Sequence, residues 1–145
     1  MSTPQLTILK RTATLLTDAT WATIPWDSTV QDDVAAYNSG VSTTNIVVPT
    51  GYTRARVTLV TAHTISLAIC YVYCNVIYNG TTIRASILGV STPSTHANGL
   101  STGWITVAAT EIFTAQALSI FGSNGANVSS GIATGDTKIQ IEWGN

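Results

Sequence analysis

Residues 43–62 read TTNIVVPTGYTRARVTLVTA: a short β-branched run, a Val-Pro-Thr-Gly turn and a second run in which polar and apolar residues alternate. Pro49 fixes its own φ and offers no N–H, and Gly51 is free to take a positive φ, so the two runs are separate strands rather than one. The same punctuation recurs along the chain at Asn38-Ser39-Gly40, Asn79-Gly80, residues 91–99, residues 122–125 and Gly135-Asp136. The runs between these breaks are short and rich in Val, Ile, Thr and Tyr, as strands are. No segment keeps an apolar 3.6-residue period over three turns, although residues 110–118 have room for one helical turn or two. The expected class is all-β.

Alternation assigns faces. Ile139, Ile141 and Trp143 share one side of the last run and Lys138, Gln140 and Glu142 the other, as in a half-buried strand whose Trp143 fills the core. Val57 and Leu59 lie opposite Arg54, Arg56 and Thr58 in the same way. The run over residues 67–78 differs, because Leu67, Ile69, Tyr71 and Tyr73 form one apolar face and Ala68, Cys70, Val72, Cys74 and Val76 the other. In a two-layer sandwich only one of these faces turns inward, so the outer one needs a cover. A neighbouring subunit over Leu67, Ile69, Tyr71 and Tyr73 is the economical choice, and a helix or loop of the same chain is the alternative. Asn79-Gly80 supplies the two positive φ angles of a type I′ hairpin turn, after which a strand returns over residues 82–88. Residues 89–103 and 122–135, rich in Ser, Thr and Gly, read as long exposed loops.

A chain of 145 residues suits one domain with a real core. Its charge content is low, with 6 Lys and Arg, 7 Asp and Glu and a net charge of −1. There is no basic stripe to neutralise a nucleic-acid backbone or an anionic bilayer, so neither is an expected partner. A charge-poor, β-branched surface suits burial against copies of the chain. The first residues, MSTPQLTILKRT, lack the unbroken apolar run of a signal peptide, and the protein is expected to be made in a cytosol. Cys70 and Cys74 on one strand face would stand about 13 Å apart, beyond the roughly 7 Å a disulfide spans. They read as buried free thiols.

The order Asn45-Ile-Val-Val-Pro-Thr-Gly-Tyr52, an alternating strand, then Val76-Ile-Tyr-Asn-Gly80 resembles the complement globular-head and tumour-necrosis-factor-like jelly rolls, including those of bacteriophage virion proteins. Thr23-Ile-Pro-Trp-Asp27, with Asp32, Asp33 and Tyr37 after it, is similar to the phage versions. The likeness spans residues 12–143, which implies an arm over residues 1–11 and one jelly-roll domain over 12–145. It implies two antiparallel sheets of about ten strands and a homotrimer with loops open at one end. Gly135-Asp136 falls directly before the last strand, one strand later than the family places such a step. Strand order in the last third therefore stays open.

Candidate sites are few. No G-x-S-x-G elbow, Walker loop or H-E-x-x-H motif occurs, His63 and His96 fall in unrelated settings, and no catalytic or cofactor site is expected. Asp27, Asp32 and Asp33 have the chemistry of Ca²⁺ ligands, which some proteins of this fold carry, or they serve as turn and loop residues. Among Trp21, Trp26, Trp104 and Trp143, Trp104 beside the expected loop is the one placed to stack on a sugar. In the arm, Leu6, Ile8, Leu9, Lys10 and Arg11 could add a strand to a capsid subunit or to a neighbouring protomer; the plain alternative is a frayed terminus. The resemblance without a collagen-like or coiled-coil stalk implies a trimeric capsid decoration, or cement, protein that grips the major capsid protein on the virion surface. The other reading is the glycan- or receptor-binding head of a tail fibre or spike.

Overall fold

The computed structural model describes residues 3–11, 14–15, 19–65, 70–90, 94–120, 130–132 and 137–145. Among them there are twelve strands and no helix. They form two antiparallel sheets, as expected. The larger is built from β1 (Gln5–Arg11), β2 (Thr14–Leu15), β4 (Ser28–Asp32), β6 (Arg54–Ile65), β9 (Ser94–Thr106), β11 (Ser130–Ile132) and β12 (Thr137–Gly144). The smaller holds β3 (Ala22–Thr23), β5 (Ile46–Val47), β7 (Cys70–Tyr78), β8 (Thr81–Val90) and β10 (Ile112–Ile120).

In the larger sheet β4, β1, β12 and β6 lie side by side. β6 takes β12 and then β11 along one edge and β9 along the whole of the other. The smaller sheet runs β8, β7, β10, with β3 and β5 sharing the far edge of β10. The Val48-Pro49-Thr50-Gly51 turn carries the chain from β5 in one sheet to β6 in the other, with Gly51 at φ +95°. Asn79 and Gly80, at φ +48° and +83°, close the hairpin of β7 and β8 as a type I′ turn demands.

The core lies between the sheets. Leu9, Val57, Leu59, Ile139, Ile141 and Trp143 reach it from the larger sheet, and Ile46, Cys74, Val76, Phe113, Ala115 and Ala117 from the smaller. Ile24 and Trp26, from the crossing between β3 and β4, fill it further. Toward one end the filling is aromatic: Phe113 meets Tyr78 at 4.8 Å and Trp143 at 6.1 Å between ring centroids, and Tyr52 meets Trp143 at 6.2 Å.

Three expectations are corrected. Residues 5–11 are no free arm, because β1 is hydrogen-bonded on both edges and Leu9 is wholly buried; no domain boundary falls at residue 11. Of the proposed capsid contacts, Leu9 is therefore core, while Leu6, Ile8 and Lys10 lie half-buried on the outer face and Arg11 bonds Asp27. The inward partner of Leu9 is Thr7, whose hydroxyl accepts from Trp143 Nε1 at 2.9 Å and donates to Asp32 at 2.9 Å. A satisfied hydroxyl can sit where the apolar pattern would put Leu6 or Ile8. Second, residues 94–103 belong to β9 rather than to an exposed loop, since their ladder to β6 needs no apolar side chains. Third, the segment with room for helical turns is β10, with Phe113, Ala115 and Ala117 inward at period two. Burial between the sheets overrides the helical preference of Ala, Gln and Leu. The expected loop over 122–135 lies outside the described residues apart from β11, as does Gly135-Asp136.

Candidate functional site

Three surfaces carry the residues singled out from the sequence. On the outer face of the smaller sheet, Tyr71 and Tyr73 point away from the core while Val72, Cys74 and Val76 point in. Tyr71 lies against Gly89, its cross-strand partner, and stays 50% exposed. Tyr73 is half-covered by Trp21, whose ring meets it edge-on at 6.1 Å. Ile87, opposite Tyr73, is 55% exposed. The chain thus covers part of this face itself and leaves Tyr71, Ile87 and Trp21 open to solvent. Leu67 and Ile69 lie outside the described residues.

The carboxylates are committed to the fold. Asp32 accepts from the Thr7 hydroxyl and from the backbone N–H groups of Ala36 and Tyr37. Asp33 accepts from Leu6 N and from Gln31 Nε2. Asp27 meets Arg11 at 3.4 Å, a partly exposed pair of small energetic weight. No group of three metal-ligating side chains occurs among the described residues. Their work is to pin the crossing after β4, where Tyr37 donates its hydroxyl to Trp26 O at 2.7 Å. Burial, then the charge of Asp27, raises the pKa of that hydroxyl above its ordinary 10.

His63 and His96 are cross-strand partners on β6 and β9, a pairing hidden from the sequence. His63 is wholly buried, with Nε2 2.8 Å from the Thr61 hydroxyl and Nδ1 without a partner among the described residues. Burial pulls its pKa down to about 4, so it is neutral at physiological pH. Nearby Cys74 is pushed up to about 11 by burial, which makes it a poor nucleophile. His63 and Cys74 are thus interior groups, both wholly buried.

Trp104 lies on β9, not beside a loop, and is 42% exposed on the outer face of the larger sheet. Directly across from it is Arg56, which in turn faces Glu142 on β12 and binds its carboxylate. One step along, Arg54 faces Gly144. The guanidinium carbons of Arg54 and Arg56 stand 4.8 and 5.1 Å from the centre of the Trp104 ring. A cleft of about 450 Å³ opens beside them, walled by Tyr52, Arg54, Trp104 and Trp143, with Gln5 and Glu142 among its polar lining. The arginines were missed as site residues because they looked like an ordinary wet strand face. Their spacing two apart was the available signal, but only the register reveals that Trp104 joins them.

No family model matches this chain, and no curated protein does. Solved structures match it over nearly the whole length. They include murine APRIL at pH 5.0, with 9% identity over 97% of this chain and 99% of that one at a TM-score of 0.61. The globular domain of zebrafish complement 1qA follows, with 6% identity over 97% and 96% and a TM-score of 0.62. Eiger TNF from S. frugiperda gives 8% over 98% and 93% with a TM-score of 0.59. The fold is a jelly roll of the tumour-necrosis-factor and C1q type.

Proposed function

We propose that this protein is a homotrimeric capsid decoration, or cement, protein of a bacteriophage, made in the host cytoplasm and bound to the major capsid protein on the virion surface. The observation that carries self-association is the open face formed by Tyr71, Ile87 and Trp21 on a jelly roll with few charges. Exposed aromatic and aliphatic side chains gathered on one face have the composition of an interface centre. The capsid role is supported by the phage-like motifs around Trp26-Asp27 and by the lack of a catalytic constellation among the described residues. Three weak contacts on one rigid trimer bind a shell as a single multivalent unit.

Two measurements test this. Sedimentation equilibrium is expected to give a mass near three chains, and Tyr71→Ser with Ile87→Ser is expected to release monomers. Expanded capsids stripped of the protein are expected to take it up from solution. A monomer that ignores such capsids would end the proposal.

A further inference from the structure

The cleft beside Trp104 holds a guanidinium, that of Arg54, with no carboxylate partner among the described residues. Arg56, by contrast, is engaged by Glu142. Arg54 is nevertheless held in place. A Cβ added to Gly144 would come within 3.0 Å of Arg54 Nε, 3.3 Å of its Cγ and 3.2 Å of Trp104 Cζ3. The absent side chain at Gly144 is what lets the arginine stem and the indole lie down side by side. Stacking on Trp104 orders the guanidinium at little cost to its hydrogen bonds, since the ring takes its face and leaves its N–H edge free.

The rest of the lining narrows the ligand. Glu142 also borders the cleft, so a doubly charged anion would meet repulsion there, whereas a single negative charge on Arg54 is matched one to one. Gln5, Thr3 and Asn145 add amide and hydroxyl groups that both donate and accept. Tyr52, Trp104 and Trp143 add aromatic wall. At about 450 Å³ the cleft lies within the usual range for small-molecule sites. One fixed guanidinium, amides and rings together fit a ring-shaped polyol with one carboxylate. We infer that this cleft binds a carboxylated saccharide, its carboxylate on Arg54 and its ring hydroxyls on Gln5 and Asn145. The inference does not rest on the capsid proposal, because one chain by itself supplies the whole lining of the cleft.

Protein-observed NMR titration with glucuronate, N-acetylneuraminate, glucose and inorganic phosphate tests it. Glucuronate or N-acetylneuraminate is expected to shift the resonances of Trp104, Gln5 and Gly144, with an affinity about tenfold above that of glucose, the worth of one charge-assisted contact. Arg54→Gln is expected to remove that advantage and Gly144→Ala to weaken it, while Arg84→Gln on β8 leaves it intact. Arg54 is exposed, so its variant keeps the fold, as an unchanged amide spectrum would confirm. Equal binding of glucose, indifference to Arg54→Gln, phosphate binding as tightly at the same residues, or no shift with either acidic sugar would each overturn the inference.

Discussion

The two ends of the sandwich interior are held by different forces. Around Trp143 the sheets meet through Tyr52, Tyr78 and Phe113, and the buried polar atoms there form one short chain from Trp143 Nε1 through Thr7 to Asp32. Around His63 several polar residues are buried beside the small apolar cluster of Val72 and Val90: Thr61, Asn98, Ser119 and Thr137 lie with it between the sheets. Asn98 donates to the carbonyls of Val72 and Ser86 and accepts from the Ser86 hydroxyl, so one side chain links β9, β7 and β8. Thr137 accepts from Ala62 N in the same region. Apolar packing tolerates approximate shapes, whereas hydrogen bonds inside a protein are costly when any one partner is lost. The aromatic end should therefore set how stable the protein is, and the polar end how sensitive it is to chemistry.

The largest effect is expected at the aromatic end. Phe113→Ala leaves a cavity against Tyr78 and Trp143 and is expected to cost about 3–5 kcal/mol in denaturant unfolding. A loss below about 1 kcal/mol would mean that this end does not dominate.

Acid should act at the other end. His63 has its pKa lowered from 6.5 to about 4 by burial, so the unfolded chain takes up the proton first. Its contribution to stability is intact above pH 6.5, declines as the pH falls toward 4 and changes no further below that. The full loss is about 3 kcal/mol. Unfolding curves of the wild type and His63→Phe between pH 7 and 4 isolate this slope from that of the carboxylates. Parallel curves would remove His63 from the account.

Asn98→Ala is expected to cost about 1–3 kcal/mol by orphaning groups on both β7 and β8. If hydrogen bonding is what matters, Asn98→Leu does no better despite its apolar volume. A leucine that restores full stability would show that the polar end is only packing under another composition. The smallest effect is kinetic. With Cys70 replaced by Ser, the raised pKa of Cys74 predicts alkylation at pH 8 at least about tenfold slower than in urea.

The two ends were unequally legible. β12 and β6 carry Ile139, Ile141, Trp143, Val57 and Leu59 at period two, and burial follows that period residue by residue. β9 was invisible because His96, Asn98 and Thr102 turn inward with Leu100 and Ile105, so that polar residues break up the apolar pattern. Its strand character comes from the backbone ladder and from partners that no local pattern encodes. Thr7 misled for the same reason. At the surface, Trp104 was recognisable as an unusual aromatic, whereas Arg54, Arg56 and Gly144 joined it only through the register of β12, β6 and β9. An empty position such as Gly144 gives no chemical signal in a sequence.

The placement of β1 between β12 and β4 also governs how the molecule is made. The side chain of Thr7 hydrogen-bonds to that of Trp143, so the larger sheet cannot close until β12, far along the chain from β1, has left the ribosome. Until then β1 and β6 present unpaired edges of the kind that recruit other chains. Such late, long-range closure slows folding and lengthens the exposure of these edges. A nascent chain halted before β12 is thus expected to be a ready substrate for chaperones and aggregation.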